Sequence, residues 1–249
     1  MCCFSRPVTS VSATKIFARA AGAGRQFLAY SMVYKAAEDL AMVLPLPVPA
    51  GTKDDAVQFI DLHGYPRFFD DLRAGFPEEV SRSAGNSRRR SVPAAAAAPL
   101  AVVQVGSFEA SFVPGVKDFA RLDARFRLPD SAFAKLPAYQ RYGFAVFKLK
   151  RTATSVHPMA FSFPTAEPTR LFFPTVHIHD GDVNSHAHFD HQLYCQLGGE
   201  HGRAAEWRES PQLAKSFMRV ADSKGLIDGA AHCYLSELVG TRKNADTYV

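Results

Sequence analysis

Five of the nine histidines fall within residues 177–191. They lie in the run Thr175-Val176-His177-Ile178-His179-Asp180-Gly181-Asp182-Val183-Asn184-Ser185-His186-Ala187-His188-Phe189-Asp190-His191. Neutral imidazole is a ligand for zinc, copper, iron and nickel, so this density of histidine points to transition-metal chemistry. Asp180-Gly181 has the composition of a two-residue type I′ hairpin turn, which needs positive φ at both positions. A hairpin closed there sets His179 opposite Asp182, Ile178 opposite Val183, His177 opposite Asn184 and Thr175 opposite His186. Side chains alternate along a strand and opposed residues share a face. One face then carries Val176, Ile178, Val183, Ser185 and Ala187, fit for a core. The other carries His177, His179, His186 and His188, with Thr175, Asp182 and Asn184 among them. His191 and Cys195 follow at spacings that one helical turn presents together, which adds two donors to the same site.

The expected ligand set is therefore His177, His179, His186, His188, His191 and Cys195, with zinc as the first choice of cofactor and copper or iron as alternatives. A site with a vacant position suits a metalloenzyme, an oxidoreductase or a hydrolase acting on a small molecule. A closed four-ligand site suits structure, storage or sensing. The sequence does not decide between an enzyme and a binding protein. His63, His157 and His201 stand apart and are expected to be structural or exposed. Cys2 and Cys3 are soft donors that offer a thiolate to the same metal or simply pack in the core; being adjacent on a strand, at most one reaches a given site.

Two short stretches resemble known enzymes. His186-Ala187-His188-Phe189-Asp190-His191 matches the HxHxDH pattern and so resembles the metallo-β-lactamase superfamily, which implies a dinuclear metal centre that activates water. The resemblance covers six residues. That family also needs a further His, a bridging Asp and a last His on a second half, whereas only His201 and His232 follow. The N-terminus, with Cys2 exposed once Met1 is removed and Arg19 on the returning strand, resembles the N-terminal-nucleophile hydrolases of the choloylglycine and penicillin V acylase type. That resemblance implies an amidohydrolase with Cys2 as catalytic nucleophile and Arg19 as a substrate-positioning group. The family's Asp shortly after the Arg is replaced here by Ala20-Ala21-Gly22. The opening Met1-Cys2-Cys3-Phe4-Ser5 also resembles that of a set of bacterial proteins, and no function comes with it.

The elements that must position these residues read as strands. Twenty Phe and eight Tyr against one Trp, with 16 Pro, favour strands and tight turns over a helical bundle. Strands are expected at 3–11, 14–20, 26–34 and 40–47, then at 101–112, 142–150, 156–163 and 170–179. Helices are expected at 52–62, 130–136, 211–221 and 227–238, from capping residues and apolar spacing. Residues 26–47 and 143–175 echo each other, an alternating strand followed by an apolar, proline-punctuated one. The expected fold class is α+β, a β-rich single domain over 1–249 of antiparallel sheets in a sandwich or half-barrel, with C-terminal helices. Residues 81–99 read Ser-Arg-Ser-Ala-Gly-Asn-Ser-Arg-Arg-Arg-Ser-Val-Pro followed by five Ala and Pro99, a composition expected of a disordered insertion.

Charge narrows the partners. Arg82, Arg88, Arg89 and Arg90 have no acid among them, and without residues 81–99 the formal charge of +5 drops to +1. The remaining surface is close to neutral, so no specific nucleic-acid partner is expected. No apolar run is long enough to span a membrane, and no charged segment followed by an apolar stretch opens the chain. Four cysteines at positions 2, 3, 195 and 233 form no disulfide framework, which suits a cytoplasmic location. The oligomeric state stays open.

Overall fold

Short runs rich in Phe, Tyr, Leu and Val form strands that stack as two sheets over a shared core. The computed structural model describes residues 2–77, 103–106, 108–128, 133, 137–151, 157–178, 184–198 and 206–249. The strands are β1 (Cys2–Phe4), β2 (Ser10–Gly22), β3 (Arg25–Lys35), β4 (Leu40–Leu46) and β5 (Gln58–Asp61), followed by the helix α1 (Phe68–Ala74). Then come β6 (Val103–Val105), β7 (Phe108–Val113), β8 (Gly143–Leu149), β9 (Met159–Pro164), β10 (Phe172–Phe173), β11 (His177–Ile178) and β12 (His186–Gln196). The last are β13 (Arg208–Glu209), β14 (Tyr234–Lys243) and β15 (Thr247–Tyr248).

The first sheet has the strand order β11-β1-β4-β8-β7-β6 and the second β13-β14-β12-β2-β3-β9-β5; β10 and β15 form a short pair of their own. Most ladders are antiparallel, but β1 runs parallel to β11 and β12 parallel to β2. The chain is thus an α+β, β-rich single domain with two large mixed sheets. The two segments that echo each other in sequence supply its centre, since β4 pairs with β8 in one sheet and β3 with β9 in the other.

The inner core lies between the sheets. Leu28, Tyr30, Met32 and Tyr34 from β3 meet Leu40, Met42, Leu44 and Leu46 from β4 there. Each such fully buried side chain contributes roughly 1.5–3 kcal/mol relative to exposure. β4 is buried on both faces, which explains its unbroken apolar sequence, because Ala41 and Val43 point into a second core on the far side of the first sheet. Pro45 fits inside β4 because β1 pairs only with Met42 and Val43, so the ladder is open on that side at the proline. The 3-10 turns Val116–Arg121, Ala124–Phe126 and Pro137–Arg141 close the second core with Phe119, Phe126 and Tyr139. On the outer face of the second sheet, Phe68, Phe69 and Leu72 of α1 pack with Phe17, Tyr194, Met218 and Leu226.

Several local expectations change. The helix expected at 52–62 is a turn leading into β5, and that expected at 227–238 gives way to β14, where Leu235, Glu237 and Val239 alternate with Ser236 and Leu238. Residues 211–221 form the 3-10 turn Ala214–Ser216 and enter a second, Ala221–Ser223. The strand expected at 3–11 breaks after Phe4, and Pro7 lies in the gap before β2. The segment 81–99 and, apart from Phe133, the helix expected at 130–136 lie outside the described residues. No helix among the described residues is long and apolar enough to cross a membrane.

Candidate functional site

The histidine hairpin does not form as the local sequence suggests. β11 joins the edge of the first sheet through β1, whereas β12 sits inside the second sheet between β14 and β2. The two histidine-bearing strands are not paired with each other. His179 and the turn residues Asp180–Val183 lie outside the described residues.

This topology divides the expected ligands. Along β12, Phe189, His191, Leu193 and Cys195 share one face, with Leu193 and Cys195 in the inner core. His186 and His188 are exposed on the opposite face, the one that carries Tyr194. His191 lies on a strand and not a helical turn, and it is 1 % exposed. Ile178 points into the second core, which turns His177 the other way, toward His191. The two imidazoles stack with centroids 4.8 Å apart, and their Nε2 atoms are 3.1 Å apart, one donating and the other accepting. Phe189 packs against both rings. Cys195 is fully buried, and burial pushes its thiol well above the ordinary range, which disfavours a thiolate ligand.

Among the described residues, no group of three or more His, Cys, Asp or Glu is placed to hold a metal ion. The expectation of a transition-metal-binding protein, with zinc, copper or iron on His177, His186, His188, His191 and Cys195, is corrected on that ground, whether the metal were catalytic, stored, sensed or structural. What remains of the cluster is one histidine pair bridging the two sheets.

The two residues of the N-terminal-nucleophile reading lie on different sheets. Cys2 stands in β1, in register with His177 in the first sheet. Arg19 belongs to β2 of the second sheet, where its Nε donates to the Leu226 carbonyl at 2.7 Å and its Nη2 to that of Gly225 at 2.5 Å. Its guanidinium also lies over the Phe27 ring. Arg19 therefore pins the loop that covers the outer face of its own sheet.

Three arrangements escaped sequence reasoning. The first is a shallow cleft of about 430 Å³ on the second sheet, lined in part by Lys15, Arg73, Asp190, Gln192 and Glu237. Its cations are paired: Arg73 meets Glu237 of the cleft at 3.0 Å, and Lys15 lies 3.7 Å from Asp70 of α1. Asp190 Oδ2 accepts from the Ala13 amide at 2.6 Å, holding Ala13 at φ +52° beside the bulge in β2.

The second is a clasp made by the last residues. Asp246 Oδ1 accepts from the amides of Thr175 and Val176 at 2.9 and 3.1 Å, and its Oδ2 accepts from the Tyr139 hydroxyl at 2.6 Å. Burial raises the Asp246 carboxyl above its ordinary range. Asn244 accepts from the His177 amide and donates to the carbonyls of His177 and Asn184. The only sequence signal was the density of Asn, Asp and Tyr near the C-terminus.

The third is a contact between His63, which follows β5, and His157, which precedes β9; their rings meet edge to face with centroids 5.6 Å apart.

The arrangement as a whole has a known counterpart. The fold is similar to that of baculovirus P35. The crystal structure of baculovirus P35 matches with a TM-score of 0.51 at 10% identity, over 97% of this chain and 96% of that one. A mutated baculovirus P35 after caspase cleavage matches with a TM-score of 0.50 at 14% identity, over 95% of this chain and 99% of that one. At these identities the likeness is one of fold. No family model and no curated protein matches the chain. The dispersal of the histidines among the described residues overturns the metal-dependent reading.

Proposed function

We propose that the chain is a protease-binding protein that acts as an inhibitor and presents residues 81–99 as its substrate-like sequence. The observation that carries this reading is the fold likeness to P35 over nearly the full length of both chains, including a P35 that a caspase has cleaved. Residues 81–99, which fall between α1 and β6, support it from the sequence, because they carry Arg82, Arg88, Arg89 and Arg90 and no acid. A guanidinium is best received by a carboxylate at the base of a specificity pocket. The enzyme that fits is therefore one that cleaves after arginine.

Limited proteolysis tests this directly. A trypsin-like enzyme at low ratio is expected to cut first after one of these four arginines, and the nicked protein should keep one cooperative melt. The physical reason is that β2, β3 and β4 from the first part of the chain pair with β12, β9 and β8 from the second. These ladders hold the fragments together after the cut. First cleavage elsewhere, or loss of the cooperative transition on nicking, contradicts the reading.

A further inference from the structure

We propose that His157, seated against His63, is a proton-operated latch that holds the β6–β7 hairpin against the edge of the second sheet and opens on acidification. β5 and β6 are edge strands of different sheets, and they run close together where the sandwich closes. The contact between them is made by the two imidazoles and the turn after β6. Gly106 in that turn has φ +57°, and a Cβ built on it would lie 2.7 Å from His157 Nε2, 2.9 Å from His63 Cβ and 3.0 Å from Asp61 Oδ1. Only glycine lets the turn approach so closely. The His157 ring also packs on Phe108, the first residue of β7, with centroids 4.3 Å apart. Behind it, Phe59 and Phe108 both contact Phe147 in the core. Releasing the turn therefore uncovers aromatic surface.

The charged and titratable groups around the latch are few. Asp61 Oδ1 accepts from the His63 amide at 2.8 Å, and it is the acid that faces the pair. On β7 and β8, Glu109 and Lys148 are engaged with each other at 2.5 Å. Residues 152–156, which lead into His157, carry no ionisable side chain. Burial holds the His157 imidazolium below its ordinary range; the Pro158 carbonyl opposes this, His63 reinforces it, and Asp61 opposes it again. The open state therefore binds more protons than the closed one below about pH 6.5. The closed contact is fully favoured above that value and is lost as pH falls through the folded-state range. β6 is also where the chain returns to the sheet after the arginine tract. If the tract is the protease-binding sequence, the latch controls how firmly its C-terminal end is anchored; that consequence rests on the reading above, and the latch itself does not.

Hydrogen exchange at pH 7.5 and pH 5.0, corrected for the intrinsic pH dependence of exchange, tests the latch in the full chain without any protease. Exchange of amides in residues 103–113 is expected to rise about tenfold at pH 5.0, the change that ~1.4 kcal/mol of differential protonation produces. Amides of β3 should not change. His157→Gln is expected to flatten the response, and the exposed-site variant His63→Gln, which leaves His157 buried, to reduce it; the second remains informative if the first folds poorly. A wild-type response equal to that of β3, or a full response kept by His63→Gln, overturns the proposal. Loss of protease binding with an intact acid response would count against the inhibitor reading and not against the latch.

Discussion

Asp246→Ala is expected to lower the unfolding free energy by about 3–5 kcal/mol, whereas Asp246→Asn should cost only about 1 kcal/mol. The carboxylate of this half-buried residue accepts from two amides and one phenol, and the residues that donate, Thr175, Val176 and Tyr139, are themselves buried. Alanine leaves all three donors without an acceptor, and an unmet buried donor costs about 1–3 kcal/mol with incomplete additivity. Asparagine keeps one oxygen for the Thr175 and Val176 amides and turns its amide toward Tyr139, whose oxygen can accept. Chemical denaturation of the three proteins reads the difference, and for a chain of this size the alanine variant should melt roughly 10 °C lower. An alanine variant as stable as the wild type would show that the C-terminal clasp does not hold β11 in place.

Replacing Arg82, Arg88, Arg89 and Arg90 together with Gln is expected to weaken inhibition of an arginine-specific protease on the order of 10²–10³-fold while leaving the melting temperature unchanged. The magnitude follows from truncating a buried, hydrogen-bonded charge pair at an interface, which costs about 2–5 kcal/mol. Stability should not change, because the sheets and cores formed by the described residues are built from the chain on either side of this tract. Inhibition constants for wild type and variant, measured at one salt concentration, decide the matter. An equal constant for the two would remove the arginines from the interface.

Much of the fold was legible because most strands carry their own period. Gln26-Phe27-Leu28-Ala29-Tyr30 and Gly143-Phe144-Ala145-Val146-Phe147 announce two-sided packing without any knowledge of their partners. β14 was not legible: Leu235 and Leu238 sit three apart and mimic a helical stripe, and its exposed half has no apolar alternation to correct this. α1 was missed because it is seven residues long and has no side-chain cap, although Asp70 and Asp71 lie in its first turn.

The candidate site failed for a different reason. Asp180-Gly181 has sound turn chemistry, but the strands on either side are claimed by long-range partners, β1 for His177 and both β2 and β14 for His186–Gln196. Local spacing reports which residues share a face only when the register is local too. With 10% identity to P35, the likeness that redirected the functional reading lay in the topology and not in any run of residues.

We propose above that this chain inhibits a protease by being engaged as a substrate. The most direct measurement titrates a fixed concentration of an arginine-specific protease, with a caspase alongside, against the intact protein and reads residual activity. The account predicts that activity of the arginine-specific enzyme falls linearly to zero at an equimolar ratio, with the cut chain recovered in complex and cleaved within residues 81–99. Undiminished activity of both enzymes, with the chain either untouched or digested as an ordinary substrate, would contradict it.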